Sequence, residues 1–352
     1  MRGGSWDAGA EDASVAYRNN FTASVGYYYL SARLARTAHP LDTDADGDPA
    51  IADGGTDCAD YDATIYPGAT DTPADGIDQD CDGVDAAFED YTAADGSTMI
   101  AVTAGAFEMA GGAADLHGYL EHEVTLTHDF YLAKTEVTHA QWESNPDNLS
   151  WDYDNSTSDF YACTGLLSDC PADKISWDDV AAHANWLSGA EGFTPCYTDN
   201  GDGTFTAPAD PYACAGYRLP TDAEWEYAAR AGEDTVYSGS DTAAEVAWTS
   251  ETRGGSASRE VCSLTENAWG FCDLSGNEFE WVNDCYDPVY GGYGTGAAAS
   301  DPTGPASAGC DRVIRSGAWY LNESYATVAY RNYGPAASRA DTLSARLARS
   351  LP

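Results

Sequence analysis

Residues 2–36 and residues 315–349 align without a gap, Arg2 on Arg315 and Arg36 on Arg349. The identical positions form a frame: Trp6 over Trp319, Val-Ala-Tyr-Arg-Asn from Val15 and again from Val328, and Leu-Ser-Ala-Arg-Leu-Ala-Arg from Leu30 and again from Leu343. Most differences fall in two patches, 7–12 against 320–325 and 20–29 against 333–342. A constant frame with variable inserts is how a binding surface sits on a scaffold, and a repeated unit constrains architecture before any local propensity does. Residues 2–36 are too few to bury a core of their own. Residues 1–37 are therefore expected to be the C-terminal remnant of an upstream copy of the same domain, with any export signal further upstream.

Charge limits the partners. The net charge is −42, and Lys134 and Lys174 are the only lysines. Such a surface repels nucleic acid and anionic membrane. No apolar run approaches the length of a membrane span, so membrane insertion is not expected either. Ten cysteines in a chain of 352 residues point to an oxidising compartment: extracellular, periplasmic or cell surface.

Between 38 and 90 the composition shifts to Asp, Gly and Ala. Asp42, Asp44, Asp46 and Asp48 alternate around Gly47, and Asp53 falls at the position where calcium loops prefer Glu. Oxygens at alternate positions converge on a hard cation, and the Gly permits the sharp turn. Asp78, Asp80 and Asp82 repeat the pattern before Gly83. Amphipathic helices do not flank the segment, so it is not an EF-hand pair. The pattern resembles the Cys/Asp-rich metal-binding repeats of secreted bacterial proteins, some of which are linked to copper. The donors here are hard oxygens without His or Met, which favours calcium over copper or iron. The alternative is a solvated acidic linker; Cys58 and Cys81, which would staple the segment, argue against it.

A larger domain is expected over 97–352. Residues 99–109 alternate like a strand with a turn, and 121–132 read as a second strand run. Thr138 and Gln141 form a capping box that opens a short helix. Ser176 starts another, with Val180, Ala184 and Leu187 on one face and Gly189 past its end. The clearest helix follows Thr221: Glu224 completes the box, Trp225, Ala228 and Ala229 face inward, and Gly232 terminates it. Its acids Asp222, Glu224 and Glu226 suit the positive end of the helix dipole.

These landmarks carry a resemblance. Arg218-Leu-Pro-Thr-Asp-Ala-Glu-Trp-Glu-Tyr, then Gly276-Asn277-Glu278-Phe-Glu280-Trp281, then Arg312-Val-Ile-Arg-Ser-Gly-Ala-Trp319, then the final Leu-Ser-Ala-Arg-Leu-Ala-Arg, are similar in order and content to the formylglycine-generating enzyme, or sulfatase-modifying factor, family. The resemblance implies an α+β fold, compact, loop-rich and C-type-lectin-like, preceded here by the small acidic calcium-loop segment. It also implies an oxidase working through two cysteines and copper, but those positions fall on Leu321 and Ala326, and on Ala8 and Ala13 in the first copy. Leu and Ala cannot replace a metal-binding thiolate. The related iron-dependent sulfoxide synthases need a His-bearing helical domain. His39, His117, His122, His128, His139 and His183 form no such pair and read as surface or hydrogen-bonded residues. The family's Gly-Asn-x-x-Glu turn holds a structural calcium, which implies Gly276, Asn277, Glu278 and Glu280 as a second metal site; a purely hydrogen-bonded turn is the alternative.

The remaining cysteines bracket short loops in sequence order: Cys163 and Cys170, Cys196 and Cys214, Cys262 and Cys272, Cys285 and Cys310. Nearest-neighbour pairing would make each a loop staple, although connectivity does not follow from sequence alone. The residue types at differing positions of the two copies resemble regions diversified by adenine-directed retroelements; divergence after duplication is the alternative. Either way, Tyr320, Leu321, Asn322, Ser324, Tyr325, Tyr333, Arg339, Asp341 and Thr342 are the candidate contact residues. The expected function is binding of a protein or glycan ligand, with a metal-dependent oxidoreductase of altered active site as the alternative.

Overall fold

The computed structural model describes residues 45, 47, 51, 55–59, 61–73, 77–114, 118–146, 163, 166–252, 257–288, 296–305 and 309–351. The first copy of the frame, and Asp42, Asp44, Asp46, Asp48 and Asp53, lie outside them. The chain divides into two units, Met1–Ala87 and Phe88–Pro352.

The described part of the first unit has almost no apolar core; Ile65 is its buried aliphatic residue. Cross-links and carboxylate–amide bonds replace one. Cys58 is disulfide-bonded to Cys81. Asp71 accepts from the amides of Gln79 at 2.6 Å and Ala86 at 2.7 Å, which ties the end of the unit to its middle. The buried Gln79 accepts in turn from the Thr72 amide.

The second unit begins earlier than the expected boundary at 97, because β1 (Tyr91–Thr92) pairs antiparallel with β2 (Thr98–Val102). Next come β3 (Ala106–Met109), β4 (His122–Thr125) and β5 (Phe130–Ala133). The run 121–132 is thus two strands rather than one. β4 pairs with β3 and β5 pairs with β2, in different sheets. The break falls where Thr127 donates to Asp301 and Asp129 accepts from the Ala104 amide, contacts that draw the backbone out of a single ladder.

Capping fixes the helices. In α1 (His139–Glu143), α2 (Trp177–Ala190) and α3 (Asp222–Arg230), the preceding Thr138, Ser176 and Thr221 each form a reciprocal box with the residue three further on. Val180, Ala184 and Leu187 are buried, as their spacing requires. α2 runs through Gly189 instead of stopping before it; the left-handed turn falls at Gly192, with φ 81°. α4 (Ala243–Val246) is a single turn.

The later strands are β6 (Thr198–Asp199), β7 (Phe205–Thr206), β8 (Tyr217–Arg218), β9 (Phe279–Cys285), β10 (Ala299–Ser300), β11 (Asp311–Arg315), β12 (Asn332–Pro335), β13 (Leu343–Ala345) and β14 (Ala348–Ser350). Among the described residues they build sheets ordered β1-β2-β5-β14-β8, β12-β11-β9-β13 and β10-β4-β3, plus the β6-β7 hairpin. The fold is the loop-rich α+β arrangement that the motifs imply. Trp177, Trp225 and Trp281 are fully buried, and each indole N–H finds an acceptor: Val282 O, Glu280 Oε2 and Ile175 O. A satisfied donor removes the polar cost of burying so large a ring, although the buried Trp142 N–H finds no acceptor.

In the second unit disulfides join Cys163 to Cys170, Cys196 to Cys214, Cys262 to Cys272 and Cys285 to Cys310. With Cys58–Cys81 they leave no free thiol. Alkylation of the denatured, non-reduced protein is therefore expected to add no mass, and labelled cysteines would count against an oxidising compartment. Among the described residues no helix is long and apolar enough to cross a membrane.

Candidate functional site

The recurring frame is built from buried arginines. Arg315 meets Asp222 and Glu226, Arg331 also meets Asp222, and Arg346 meets Glu280. The acids of α3 are thus core ion-pair partners rather than solvated charges at a helix dipole: Glu224 pairs with Arg218, and Glu226 with Arg230 and Arg315. Trp319, Val328, Tyr330, Leu343 and Leu347 of the frame are buried as well.

The inserts hang on this frame. Tyr320 is 46% exposed and Tyr333 49%, unusually open for rings in this unit. Asn322 caps a short 3-10 turn, accepting from Ser324 N. Leu321 packs partly against the core, and its carbonyl accepts from Ser250 N. Ala326 is buried beside Tyr237, Ala243, Val246 and Ala247. Arg339 is engaged: Nε and Nη2 each lie 2.6 Å from an oxygen of Asp179, so it clamps the second insert to the start of α2. Asp341 pairs with Lys174 at 3.3 Å, and Thr342 O accepts from Phe279 N.

Each insert makes an aromatic contact with tyrosines of the scaffold. Tyr325 meets Tyr330 edge-on at 5.2 Å, and Tyr333 stacks on Tyr286 at 4.3 Å. Burial, and then the neighbouring hydroxyls of Tyr119, Tyr325, Tyr320 and Tyr286, push the Tyr330 phenol up. Tyr119 donates to the Arg331 carbonyl. The result is a tyrosine strip running from Tyr320 and Tyr325 to Tyr333. Tyr119 and Tyr286 lie outside both inserts, and no sequence spacing marks them.

At the Gly276 turn the two glutamates have different surroundings. Gly276 and Asn277 both have positive φ, and Asn277 Nδ2 donates to Glu136. Glu280, expected as a cation ligand, has both oxygens on Arg346 at 2.6 Å and accepts from Trp225 as well. The guanidinium already supplies the counter-charge. Glu278 is also buried, and its one polar neighbour is the Ser258 hydroxyl, at the margin of hydrogen-bonding geometry. Burial, then the charge of Asp173, push its carboxyl well up, although Ser258 and Lys174 favour the ionised form. A buried carboxylate so sparsely bonded is a group that a hard cation would satisfy.

In the first unit Asp71, Asp78 and Asp80 bring carboxylate oxygens within 4.8 Å of one another. Asp78 and Asp80 were expected in this role; Asp71, outside the alternating pattern, was not. Asp82 instead turns its Oδ1 to the Val84 amide. The Asp82 amide donates to Asp80, yet burial and the charges of Asp82, Asp71 and Asp78 leave the Asp80 carboxyl raised, as crowding of like charges requires. Of the histidines, His39 and His117 lie outside the described residues. His183 is buried against Trp142 and Trp186, a packing position.

A family model for a sulfatase-modifying factor enzyme 1-like domain matches residues 85–351, and one for a proposed metal-binding motif matches residues 57–86. Among curated proteins, the chain is 27% identical over 267 residues to the chaperone protein LppX of Paenibacillus barcinonensis, covering 66% of this chain and 82% of that one. It is 29% identical over 177 residues to the formylglycine-generating enzyme of Streptomyces coelicolor; the match covers 44% of each, so less than half of that enzyme is spanned. Among solved structures, Treponema denticola variable protein 1 superposes with a TM-score of 0.62 at 28% identity, over 74% of this chain and 99% of that one. PvdO from Pseudomonas aeruginosa, at 23% identity and a TM-score of 0.55, shares the fold.

Proposed function

The chain belongs to the sulfatase-modifying factor enzyme 1-like family, and from that premise we propose that it uses the family scaffold to bind a ligand and not to oxidise cysteine. The reading rests on the tyrosine strip to which both inserts contribute. Tyrosines give rigid contact area at low entropic cost and carry a hydrogen-bonding tip, which is the chemistry of recognition surfaces. The likeness to a variable protein at 28% identity supports the same reading. Leu321 and Ala326 stand where the family resemblance puts the oxidase thiols, and the ten cysteines are all in disulfides. The ligand is a protein or a glycan, met outside the cytoplasm: extracellular, periplasmic or at the cell surface.

Exchanging 320–325 and 333–342 for 7–12 and 20–29 tests this. The ligand preference of a protein or glycan array should change while the fold survives, because exposed substitutions cost within about 0.5 kcal/mol. The exceptions are Arg339 and Asp341, whose pairs with Asp179 and Lys174 the exchange removes, and Leu321, Tyr325 and Gly334, which lie against the core; keeping these residues in the chimera isolates recognition from stability. Turnover of a cysteine peptide with added copper would overturn the reading.

Calcium is the cation we assign to the oxygen-only groups, Asp71, Asp78 and Asp80 in the first unit and Glu278 in the second. A ligand that binds only the folded state, at a hundred times its dissociation constant, adds about 2.7 kcal/mol. Melting in calcium should therefore exceed melting in chelator by several degrees. Copper giving the larger stabilisation would reverse the metal assignment.

A further inference from the structure

A cleft of about 640 Å³ opens between the β6-β7 hairpin and the loop leading into β11. Asp178, Asn283, Asp311 and Arg312 are among its polar lining, and Phe205, Pro305 and Ala336 supply much of its apolar wall. Two disulfides hold the walls: Cys196–Cys214 closes the hairpin segment, and Cys285–Cys310 closes the loop opposite. Asp178 Oδ1 accepts from the Phe205 amide at 2.9 Å and fastens the hairpin to α2. Small-ligand sites are typically preformed concavities of this kind, with a few convergent polar groups.

Arg312 sets this cleft apart. Arg218, Arg230, Arg315, Arg331 and Arg346 are buried and each meets a carboxylate. Arg312, largely buried in a chain of net charge −42, forms no ion pair among the described residues. Its Nη1 donates to the Asn283 carbonyl at 2.6 Å, its plane lies 3.8 Å from the centre of the Trp177 ring, and its buried Nε has no acceptor. A stacked ring and one carbonyl return only part of the cost of taking a guanidinium out of water. Asp178 and Asp284 act on Arg312 across space without pairing with it, their bonds going to the Phe205 and Asp222 amides, and the exposed Asp311 at the cleft makes no ion pair with it either. The group that would complete Arg312 from the cleft side is an anionic acceptor, and a carboxylate supplies the missing counter-charge.

We propose that this cleft binds a small carboxylate-bearing ligand, its acid group on Arg312 and its apolar body against Phe205, Pro305 and Ala336. Asp178 faces the same space and favours a ligand that also carries a hydroxyl or amide donor. A sugar acid and a peptide C-terminus share this chemistry. The site does not depend on the tyrosine strip.

Saturation-transfer NMR on the full chain, with glucuronate and N-acetylalanine as probes and their uncharged amides as controls, separates the two sources. At least one acid should bind, and its amide should bind about tenfold more weakly or worse. Arg312→Gln should abolish binding. Because that change also removes the stack on Trp177, Ala336→Trp is the second variant: it fills the cleft, keeps Arg312, and should block the same acid. Tyr320→Ala with Tyr333→Ala should leave acid binding intact even where it ends recognition by the strip. Failure of both acids to bind at millimolar concentration overturns the proposal. So does equal binding of acid and amide, or binding that survives both cleft variants.

Discussion

Arg346→Met is expected to destabilise the second unit by about 3–5 kcal/mol, the range found when one partner of a buried ion pair is removed. Arg346 is fully buried and its donors are engaged: Nε and Nη2 on Glu280, Nη1 on the carbonyls of Ala133 and Lys134, and Nη2 also on that of Cys272. Removing it strands Glu280 in the core with only the Trp225 N–H to satisfy it. The same arginine also ties β5, β9 and the segment at Cys272 to β13 and β14, so three separate parts of the chain lose a common anchor. Urea unfolding of the variant measures the loss. Adding Glu280→Gln should recover part of it, because the stranded charge is then gone. A single-variant loss below about 1 kcal/mol would mean that water replaces the guanidinium at little cost.

The second large effect is with pH. Burial, and then the charge of Asp222 beside it, push the Asp284 carboxyl up to about 8. Burial likewise raises Asp173 and Asp273 to about 6. For an acid raised in the folded state, the folded protein holds the proton over a range in which the unfolded chain, with a pKa of about 3.9, has released it. That stability is complete below the unfolded value and is lost as pH rises through the folded one. Thermal stability in chelator should therefore fall from about pH 4 to about pH 8, by an amount on the order of a few kcal/mol. All three carboxyls contribute in the lower part of the window; Asp173 and Asp273 are complete near pH 6, and Asp284 alone continues to about 8. Asp284→Asn keeps the acceptor for the Asp222 amide and removes the titration, so it should flatten the upper part and make the lower part shallower. A wild-type profile that rises with pH would show that these carboxyls are ionised throughout.

Local features were legible in the sequence because their causes are local. The capping boxes at Thr138, Ser176 and Thr221 appear where short-range hydrogen bonding puts them. The loop disulfides join neighbours in sequence. What escaped notice depends on partners far apart along the chain. Glu226 reads as a helix acid until Arg315 arrives from 89 positions away. Glu280 reads as a cation ligand until Arg346 does so from 66 positions away. The run 121–132 keeps its alternation across a break that only Ala104 and Asp301 reveal. Arg312 had one available signal, a cation in a very acidic chain, but its isolation from carboxylates is a fact of three dimensions.

The placement of β14 has a consequence for how variants of this protein would be filtered during synthesis. β14 lies between β5 and β8, and β13 lies against β9; both strands follow the inserts in the chain. Both partners of β14 are therefore made long before it, and wait with unpaired edges. A stop or a shifted reading frame within 320–325 or 333–342 removes the strands that close two sheets, along with Arg346. A change that keeps the frame leaves β13, β14 and Arg346 in place. Closure of both sheets thus depends on chain that lies beyond the inserts, so length and reading frame are written into the fold itself.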